Sequence, residues 1–293
     1  TPAMETGSGL VDYSKQFPDR YCDVGIAEEH AVTYCAGLAR QGIKPILAIY
    51  STFLQRGYDQ LVHDVCIQNL PVIFALDRAG FAGEDGATHQ GVFDFCYMLS
   101  IPNLQILAPK DACELTDMLN WSVDQNTPIS IRYPKSDVSG HNGDSRSSLT
   151  DCQPEVLFNS KSDCDVLLIG VGSMAWVCHD AAQELQQKGV NCISLNLRFI
   201  KPLDKSFLEP YIKQAKHIFV VEEGNAIGGV FYYILHEFSN LETPLSDWSQ
   251  IAIPDQFVEH GKISELQNLF ALNKEGIIKK VLQKVEQPTS TTI

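Results

Sequence analysis

Two adjacent acidic residues, Glu28 and Glu29, open a predicted helix just after a predicted strand. Successive helical residues are rotated by about 100°, so Glu28 shares the apolar face with Val32 and Cys35, whereas Glu29 lies on the polar flank. Burial raises the pKa of a carboxyl group, which lets it hold or release a proton near neutral pH. The spacing therefore indicates Glu28 as a candidate acid or base. Glu29 fits the simpler role of complementing the helix dipole.

A glycine-rich stretch at 83–91 carries Asp85 and His89. Polar residues on such loops serve function more often than polar residues in a core. An imidazole titrates near neutral pH, so His89 is a candidate for proton transfer, and a solvated loop histidine is the alternative. Arg78 directly follows a predicted strand, where open parallel sheets bind ligands; its alternative is a surface ion pair. The residues by themselves leave these alternatives open.

The elements that must position these residues follow an alternating pattern. Short runs rich in Val, Ile and Leu alternate with helical patterns, which predicts an α/β fold with mostly parallel sheets covered by helices on both faces. The predicted strands are 21–24, 46–50, 72–76, 104–108 and 129–133, followed in the second half by 166–170, 191–196 and 218–222. The predicted helices are 28–40, 52–68, 112–124, 174–188, 230–238 and 278–285.

The composition changes in the middle of the chain, where Ser, Asp, Gly and Asn replace the alternating pattern. Such a stretch is typical of a connector between domains. We therefore predict two three-layer α/β/α domains at 1–135 and 162–293, joined by a linker at 136–161.

Charge and cysteine usage exclude several classes of function. The 293 residues carry a formal net charge of −14, which argues against nucleic acid or an anionic membrane surface as a partner. The longest apolar runs are strand-sized, so no membrane span is predicted. Nine scattered cysteines without C-x-x-C spacing favour reduced, buried thiols over disulfides or zinc. The first residues do not have the pattern of a signal peptide, so we expect a protein that is not secreted.

Longer motifs make a specific resemblance. The stretches that carry it are 21–32, 48–65, 77–80, 83–91, 198–204, 221–224, 228–229 and 254–261. They resemble, in order and over nearly the whole chain, the 1-deoxy-D-xylulose-5-phosphate synthases, which are thiamine-diphosphate enzymes of the transketolase type. The resemblance implies a pyrimidine-binding domain in 1–135, with its first segment missing, and a transketolase C-terminal domain in 162–293.

The same resemblance implies roles for three cofactor-binding residues. Glu28 would bind N1′ of the cofactor's pyrimidine, which favours the imino tautomer that removes the thiazolium proton. Phe53 would stack on the pyrimidine ring, and Ile26 would lie beside the ring system. Without the resemblance, Phe53 reads as an ordinary core aromatic residue.

On the substrate side, the resemblance implies condensation of pyruvate with D-glyceraldehyde 3-phosphate and loss of carbon dioxide. This reaction is the first step of non-mevalonate isoprenoid precursor synthesis and also feeds thiamine and pyridoxal synthesis. The residues matching the substrate-binding positions are Tyr50, Arg56, Arg78, Asp85, His89 and Lys135. The family usually has arginine at the position of Lys135. Lysine still binds phosphate as a point charge but lacks the bidentate fork of arginine.

The family holds the diphosphate through Mg²⁺ on a Gly-Asp-Gly motif, which this sequence lacks. We therefore expect a fragment whose Mg²⁺ is held by a missing N-terminal domain. Alone, it is expected to be inactive, with an incomplete first sheet and no metal site. The resemblance further implies a homodimer for the full-length enzyme, in a bacterial cytoplasm or a plastid stroma.

Three other readings stay open at this stage. The chain also fits a β-type subunit of a 2-oxoacid dehydrogenase or of a split transketolase, which pairs the same two domains. A non-catalytic dimerisation module is a second class, although the presence of Glu28 argues against it. Nucleotide binding at Gly170-Val-Gly-Ser is the weakest, because the third glycine of the dinucleotide fingerprint is absent.

Overall fold

The computed structural model describes residues 1–135, 149, 153–160, 163–241 and 243–286. Within these ranges the chain forms two five-stranded sheets, each flanked by helices. Most of the predicted linker lies outside the described residues, with the exception of 149 and 153–160. The predicted class, two α/β domains with mostly parallel sheets, is confirmed.

The first sheet has the strand order β1-β2-β4-β3-β8. Its strands are β1 (Ile46–Tyr50), β2 (Ile73–Asp77), β3 (Gln105–Leu107), β4 (Ile129–Arg132) and β8 (Phe199–Lys201). All pairs are parallel except β3 with β8. The central strands are buried along their length, as expected for a parallel sheet covered on both faces. The second half of the chain thus supplies one edge strand of the first sheet, a contribution that the sequence analysis did not predict.

Helices of very different length surround this sheet. They are α1 (Val11–Gln16), α2 (Glu28–Arg40), α3 (Ser51–Leu54), α4 (Tyr58–Gln60), α5 (Asp94–Met98) and α6 (Ala112–Val123). The bounds of α2 agree with the prediction, and its buried face includes Val32 and Cys35. The side chain of Asp111 caps α6 by accepting a hydrogen bond from the Glu114 amide.

Two predicted elements of the first half differ from the structure: one is helical but irregular, and the other does not form. The predicted helix at 52–68 is divided: α3 is followed by a 3₁₀ turn at Gln55–Gly57, by α4 and by a π-helical turn at Leu61–Cys66. The backbone leaves helical values at Gly57 (φ −91°, ψ 18°), which also packs so closely against α2 that a Cβ there would lie 2.8 Å from Cγ2 of Val32. The predicted strand at 21–24 does not form, since none of these residues joins a described sheet.

The second sheet has the strand order β10-β9-β6-β7-β5. Its strands are β5 (Glu155–Asn159), β6 (Val166–Gly170), β7 (Cys192–Asn196), β9 (His217–Asn225) and β10 (Trp248–Ile253). Its helices are α7 (Met174–Gln187), α8 (Lys205–Gln214), α9 (Val230–Glu237), α10 (Ile263–Leu269) and α11 (Lys274–Val285). Only β5 and β7 pair antiparallel. The sequence analysis missed β5, which lies inside the predicted linker, and also β10, α8 and α10.

The two halves share one hydrophobic core. Leu47 and Leu104 of the first half belong to the same buried cluster as Leu167 and Ile193 of the second. The halves are therefore packed against each other over apolar surface, and the second half can hold elements of the first in place.

Candidate functional site

The predicted site residues gather at the carboxyl ends of β1 and β2 and at the start of α2. Glu28 is the first residue of α2 and is only 4% exposed, whereas Glu29 is exposed. The prediction that Glu28 is the buried acid is thus confirmed. Its carboxylate Oε1 accepts a hydrogen bond from Nη1 of Arg56 at 3.0 Å. This ion pair offsets the cost of burying a charge at the helix end.

Phe53 on α3 is the centre of an aromatic group. Its ring stacks on Tyr50, with 5.4 Å between ring centroids and 13° between the planes. His89 meets the same ring edge-on at 5.3 Å, and Cζ of Arg56 lies 5.2 Å from its centroid. Arg56 contacts both Glu28 and Phe53, so its guanidinium group lies between the acid and the aromatic ring. Thr88 Oγ1 lies 2.9 Å from Nδ1 of His89 and orients the imidazole.

Arg78 follows β2 directly and has a left-handed backbone, with φ of 56°. Such a backbone is strained in a bulky residue, and strained residues of this kind cluster at active sites and ligand-binding sites. The Arg78 guanidinium lies over the ring of Tyr50, 3.8 Å from its centroid. It also pairs with Asp77 (Nη1 to Oδ2, 3.1 Å) and with Asp85 (Nε to Oδ2, 3.2 Å).

Asp85 joins two cations in this site. Its Oδ2 accepts from Arg78 and also from Nζ of Lys135 at 2.8 Å. Burial acts to raise the pKa of Asp85, but the hydrogen bonds from Lys135 and Arg78 outweigh it, and the pKa lies below its ordinary value. Asp85 therefore stays ionised and holds both side chains that are predicted to bind substrate.

The neighbouring groups respond mainly to burial. Burial raises the pKa of Asp77, an effect that the hydrogen bonds and charge of Arg78 reduce. Burial also raises the pKa of the Tyr50 hydroxyl, so this phenol stays neutral at physiological pH.

The loop that carries Asp85 and His89 is closed at its base. The backbones of Gly80 and Gly91 exchange two hydrogen bonds of 2.8 Å. Gln90, which is 2% exposed, accepts from the Ala82 amide at 2.7 Å and donates to the Glu259 carbonyl at 3.1 Å. The sequence analysis missed Gln90, because its only signal was its place beside His89.

Ile26 behaves differently from the other predicted residues. Its side chain is 87% exposed, on a turn that Asp23 stabilises by accepting from the Gly25 amide. The structure thus places Ile26 on the surface and does not bring it into the group. The remaining predicted residues are linked through the contacts given above: Glu28, Tyr50, Phe53, Arg56, Arg78, Asp85, His89 and Lys135.

The acid and the aromatic ring of this site have the chemistry needed to bind one end of an aminopyrimidine. A buried carboxylate supplies a hydrogen-bonding partner for a ring nitrogen, and the half-buried Phe53 supplies an aromatic face. No group of three or more His, Cys, Asp or Glu residues in the described ranges is arranged to hold a metal ion. Among the helices described, none is both long and apolar enough to cross a membrane.

Comparison with known families assigns both halves of the chain. Residues 1–140 match the transketolase pyrimidine binding domain, and residues 156–277 match the transketolase C-terminal domain. The 1-deoxy-D-xylulose-5-phosphate synthase of Clostridium acetobutylicum is 45% identical over 287 residues, covering 96% of this chain and 45% of the relative. The corresponding enzyme of Aquifex aeolicus is 42% identical over 281 residues, covering 96% and 44%. The chain therefore spans a little under half the length of these relatives.

Solved structures show the same fold. A split-gene transketolase chain, described as an inactive β4 tetramer, superposes with a TM-score of 0.85 and 24% identity over 97% of this chain and 90% of that one. A transketolase from Campylobacter jejuni superposes with a TM-score of 0.73 and 18% identity, over 89% of this chain and 39% of that one. The chain belongs to the transketolase family, with a pyrimidine binding domain followed by a transketolase C-terminal domain, and is a homologue of 1-deoxy-D-xylulose-5-phosphate synthase over about 45% of that enzyme's length.

Proposed function

We propose that this chain is the part of a 1-deoxy-D-xylulose-5-phosphate synthase that binds the pyrimidine of thiamine diphosphate and one side of the substrates. The reaction would join pyruvate to D-glyceraldehyde 3-phosphate with loss of carbon dioxide. The observation that carries the proposal is the buried Glu28, paired with Arg56 next to Phe53, in a chain 45% identical to such an enzyme. Mg²⁺ and the diphosphate would be held by the portion of the relatives that this chain does not match.

On the cofactor side, Glu28 would bind the pyrimidine nitrogen, and Phe53 would stack on the ring. When bound, thiamine diphosphate supplies the nucleophilic carbon that attacks pyruvate. The work left to this chain is to orient the pyrimidine and to keep water away from the Glu28 carboxylate. Two observations support this role: the carboxylate is buried, and its Oε1 is the oxygen that pairs with Arg56.

On the substrate side, Arg78 and Lys135 would bind the phosphate of the acceptor. Both cations are already held by the ionised Asp85, so they are oriented before the substrate arrives. His89, at the edge of Phe53, would pass a proton to or from the acceptor carbonyl. The ring of Tyr50 packs against the Arg78 guanidinium and restricts its position in the site.

A separate subunit is the second candidate. The solved split-gene chain is covered to 90% of its length, so the two chains have nearly the same extent. In this case the same two domains would work with a partner chain that supplies the diphosphate site. The identity of 41–45% to 1-deoxy-D-xylulose-5-phosphate synthases favours that chemistry over a transketolase reaction for either arrangement.

The test is reconstitution with the portion of a relative that this chain does not match. The chain would be co-expressed with the unmatched portion of the Clostridium acetobutylicum enzyme, and cofactor affinity and carbon dioxide release would be measured with pyruvate and glyceraldehyde 3-phosphate. We expect Glu28→Ala to lower turnover on the order of 100-fold or more, because proton transfer in the cofactor depends on it. Glu29→Ala, a change to the exposed neighbour, is the matched control. Equal activity of the two variants, or activity without glyceraldehyde 3-phosphate as acceptor, would refute the proposal.

A further inference from the structure

Strand β9 carries two adjacent buried glutamates whose surroundings differ. Glu222 caps α9: its carboxylate accepts from the amides of Val230 at 2.7 Å and Phe231 at 3.1 Å. It also accepts from the side chain of Gln250 at 2.9 Å. These bonds account for Glu222 as a structural residue of the second domain.

Glu223 instead faces the first domain. A Cβ at Gly80 would lie 2.5 Å from Oε2 of Glu223, so only glycine permits this approach, and its φ of 77° also favours glycine. The Phe81 amide and the Ser173 hydroxyl lie within hydrogen-bonding reach of the carboxyl group, and Gln267 Nε2 donates to Oε1 at 3.5 Å.

That turn is the base of the loop that carries the candidate site. Gly80 lies two residues after Arg78 and closes the loop by its hydrogen bonds with Gly91. Asp85 and His89 lie within the loop. We propose that Glu223 is a positioning residue: it holds the Gly80–Phe81 turn from the second domain and thereby sets the placement of Arg78 and His89. Only the catalytic consequence of this inference rests on the proposed function.

The electrostatic surroundings of Glu223 make its contact with the Gly80–Phe81 turn depend on pH. Burial raises the pKa of this carboxyl to about 7, and the nearby Arg132 only partly opposes the effect. The Arg132 guanidinium is engaged elsewhere, because it pairs with Asp94 at 2.8 Å and donates to the backbone carbonyl of Glu223 at 3.1 Å. The other groups that reach the carboxyl, from Phe81, Ser173 and Gln267, are neutral.

The direction of the pH effect follows from linkage. Opening the loop would expose Glu223 to water and lower its pKa towards the ordinary value of 4.5. A group with the higher pKa in the closed state favours that state when protonated. Opening should therefore increase from about pH 5 to about pH 7, by at most about tenfold per pH unit, and level off above that range.

Hydrogen exchange of the chain itself tests this without an activity assay. Amide exchange of peptides covering 79–91 would be measured at pH 5.5 and pH 7.5 and corrected for intrinsic rates. In the wild type, we expect amide protection in this loop to fall about tenfold or more between pH 5.5 and pH 7.5. In Glu223→Gln, which keeps the shape of the side chain, we expect protection to be independent of pH. A peptide covering β6 is the internal reference, and Glu222→Gln is the matched variant that should retain the pH dependence of the loop.

A second variant separates positioning from general destabilisation. Gly80→Ala should displace the turn and lower loop protection at both pH values, while leaving β6 protected. Equal pH dependence in wild type and Glu223→Gln, or a pH change spread evenly over the chain, would overturn the proposal. In the reconstituted enzyme, Glu223→Gln should reduce the pH dependence of KM for the phosphorylated acceptor between pH 6 and 7.5 relative to the wild type; the part that remains comes from ionisation of the phosphate itself. Absence of activity in every variant would count against the proposed function alone, because the exchange experiment does not depend on it.

Discussion

The molecule contains two dense groups of charge that are built in opposite ways. The site group around Asp85 keeps part of its charge in contact with solvent: the side chains of Arg56, Lys135 and Asp85 are 54%, 39% and 31% exposed. A second group, the interdomain cluster, joins α6 to the second domain. Its members are Lys110, Glu114, Glu155, Asn196 and Arg198.

The interdomain cluster is shielded from solvent. Its charged side chains are between 4% and 7% exposed, and Lys110 pairs with Glu114 at 3.2 Å and with Glu155 at 2.8 Å. Asn196 donates to both glutamates, and Arg198 Nη1 lies 3.6 Å from Glu114. A buried polar network whose hydrogen-bonding partners are present stabilises one arrangement of the fold. Exposed cations beside an accessible aromatic ring, in contrast, remain available to bind a ligand. The comparison thus separates charge used for assembly from charge offered for binding.

Glu114→Ala should produce the largest change in stability. It leaves Lys110 and Arg198 buried without their shared partner, and we expect a loss of about 3–5 kcal/mol in the free energy of unfolding. Urea denaturation measures it. Glu184→Ala is the control, because Glu184 pairs with Lys188 and Lys274 on the surface, where solvent screens the charges, and its loss should lower stability far less than that of Glu114. Similar losses for the two variants would break the comparison.

Arg78→Ala should separate binding from stability in the site group. The variant removes the cation over Tyr50 and beside Asp85, and it leaves the largely buried Asp77 without its charge partner. We expect a loss of about 1–3 kcal/mol in the free energy of unfolding, because the Arg78 side chain is only 14% exposed, and a rise of about tenfold or more in KM for the phosphorylated acceptor in the reconstituted enzyme. A large loss of stability with an unchanged KM would assign Arg78 to assembly.

Asp85→Asn should have the smallest effect on the free energy of unfolding. This effect should be confined to a defined pH range. The pKa of Asp85 is lower in the folded chain than its ordinary value of 3.8. Its contribution is therefore present above pH 3.8 and disappears as the pH falls through the folded value. Because the side chain is partly exposed, we expect less than about 1 kcal/mol between wild type and variant at pH 7. Urea midpoints at pH 7 and pH 3 measure the difference, and a larger difference at pH 3 would contradict the assignment.

Much of the site was predictable because its signals are local. Glu28 follows from the 3.6-residue period of one helix, and its burial agrees with that period. Arg78 and His89 follow from their places after a strand and on a glycine-rich loop. Ile26 was predicted by family likeness alone, and its exposure shows that no local packing requirement holds it beside the ring.

Other features escaped prediction because they depend on a neighbour distant in sequence. The helix at 52–68 has an uninterrupted helical pattern, yet it breaks where Gly57 meets Val32 of another helix. Strand β8 has only three residues, and its place in the first sheet comes from pairing with β3 of the other domain. A strand this short has too little period-2 pattern to be recognised.

The sequence by itself determined the alternation of strands and helices, the buried face of α2 and the set of side chains able to do chemistry, since each is written in residue type and short-range spacing. The tertiary structure decided how these side chains are held. Gln90 reaches the Glu259 carbonyl across 169 residues of sequence, and Glu223 contacts Gly80 from the other domain. Such contacts exist only once the two sheets pack together, because their energy comes from burial and hydrogen bonding between surfaces that no local pattern specifies.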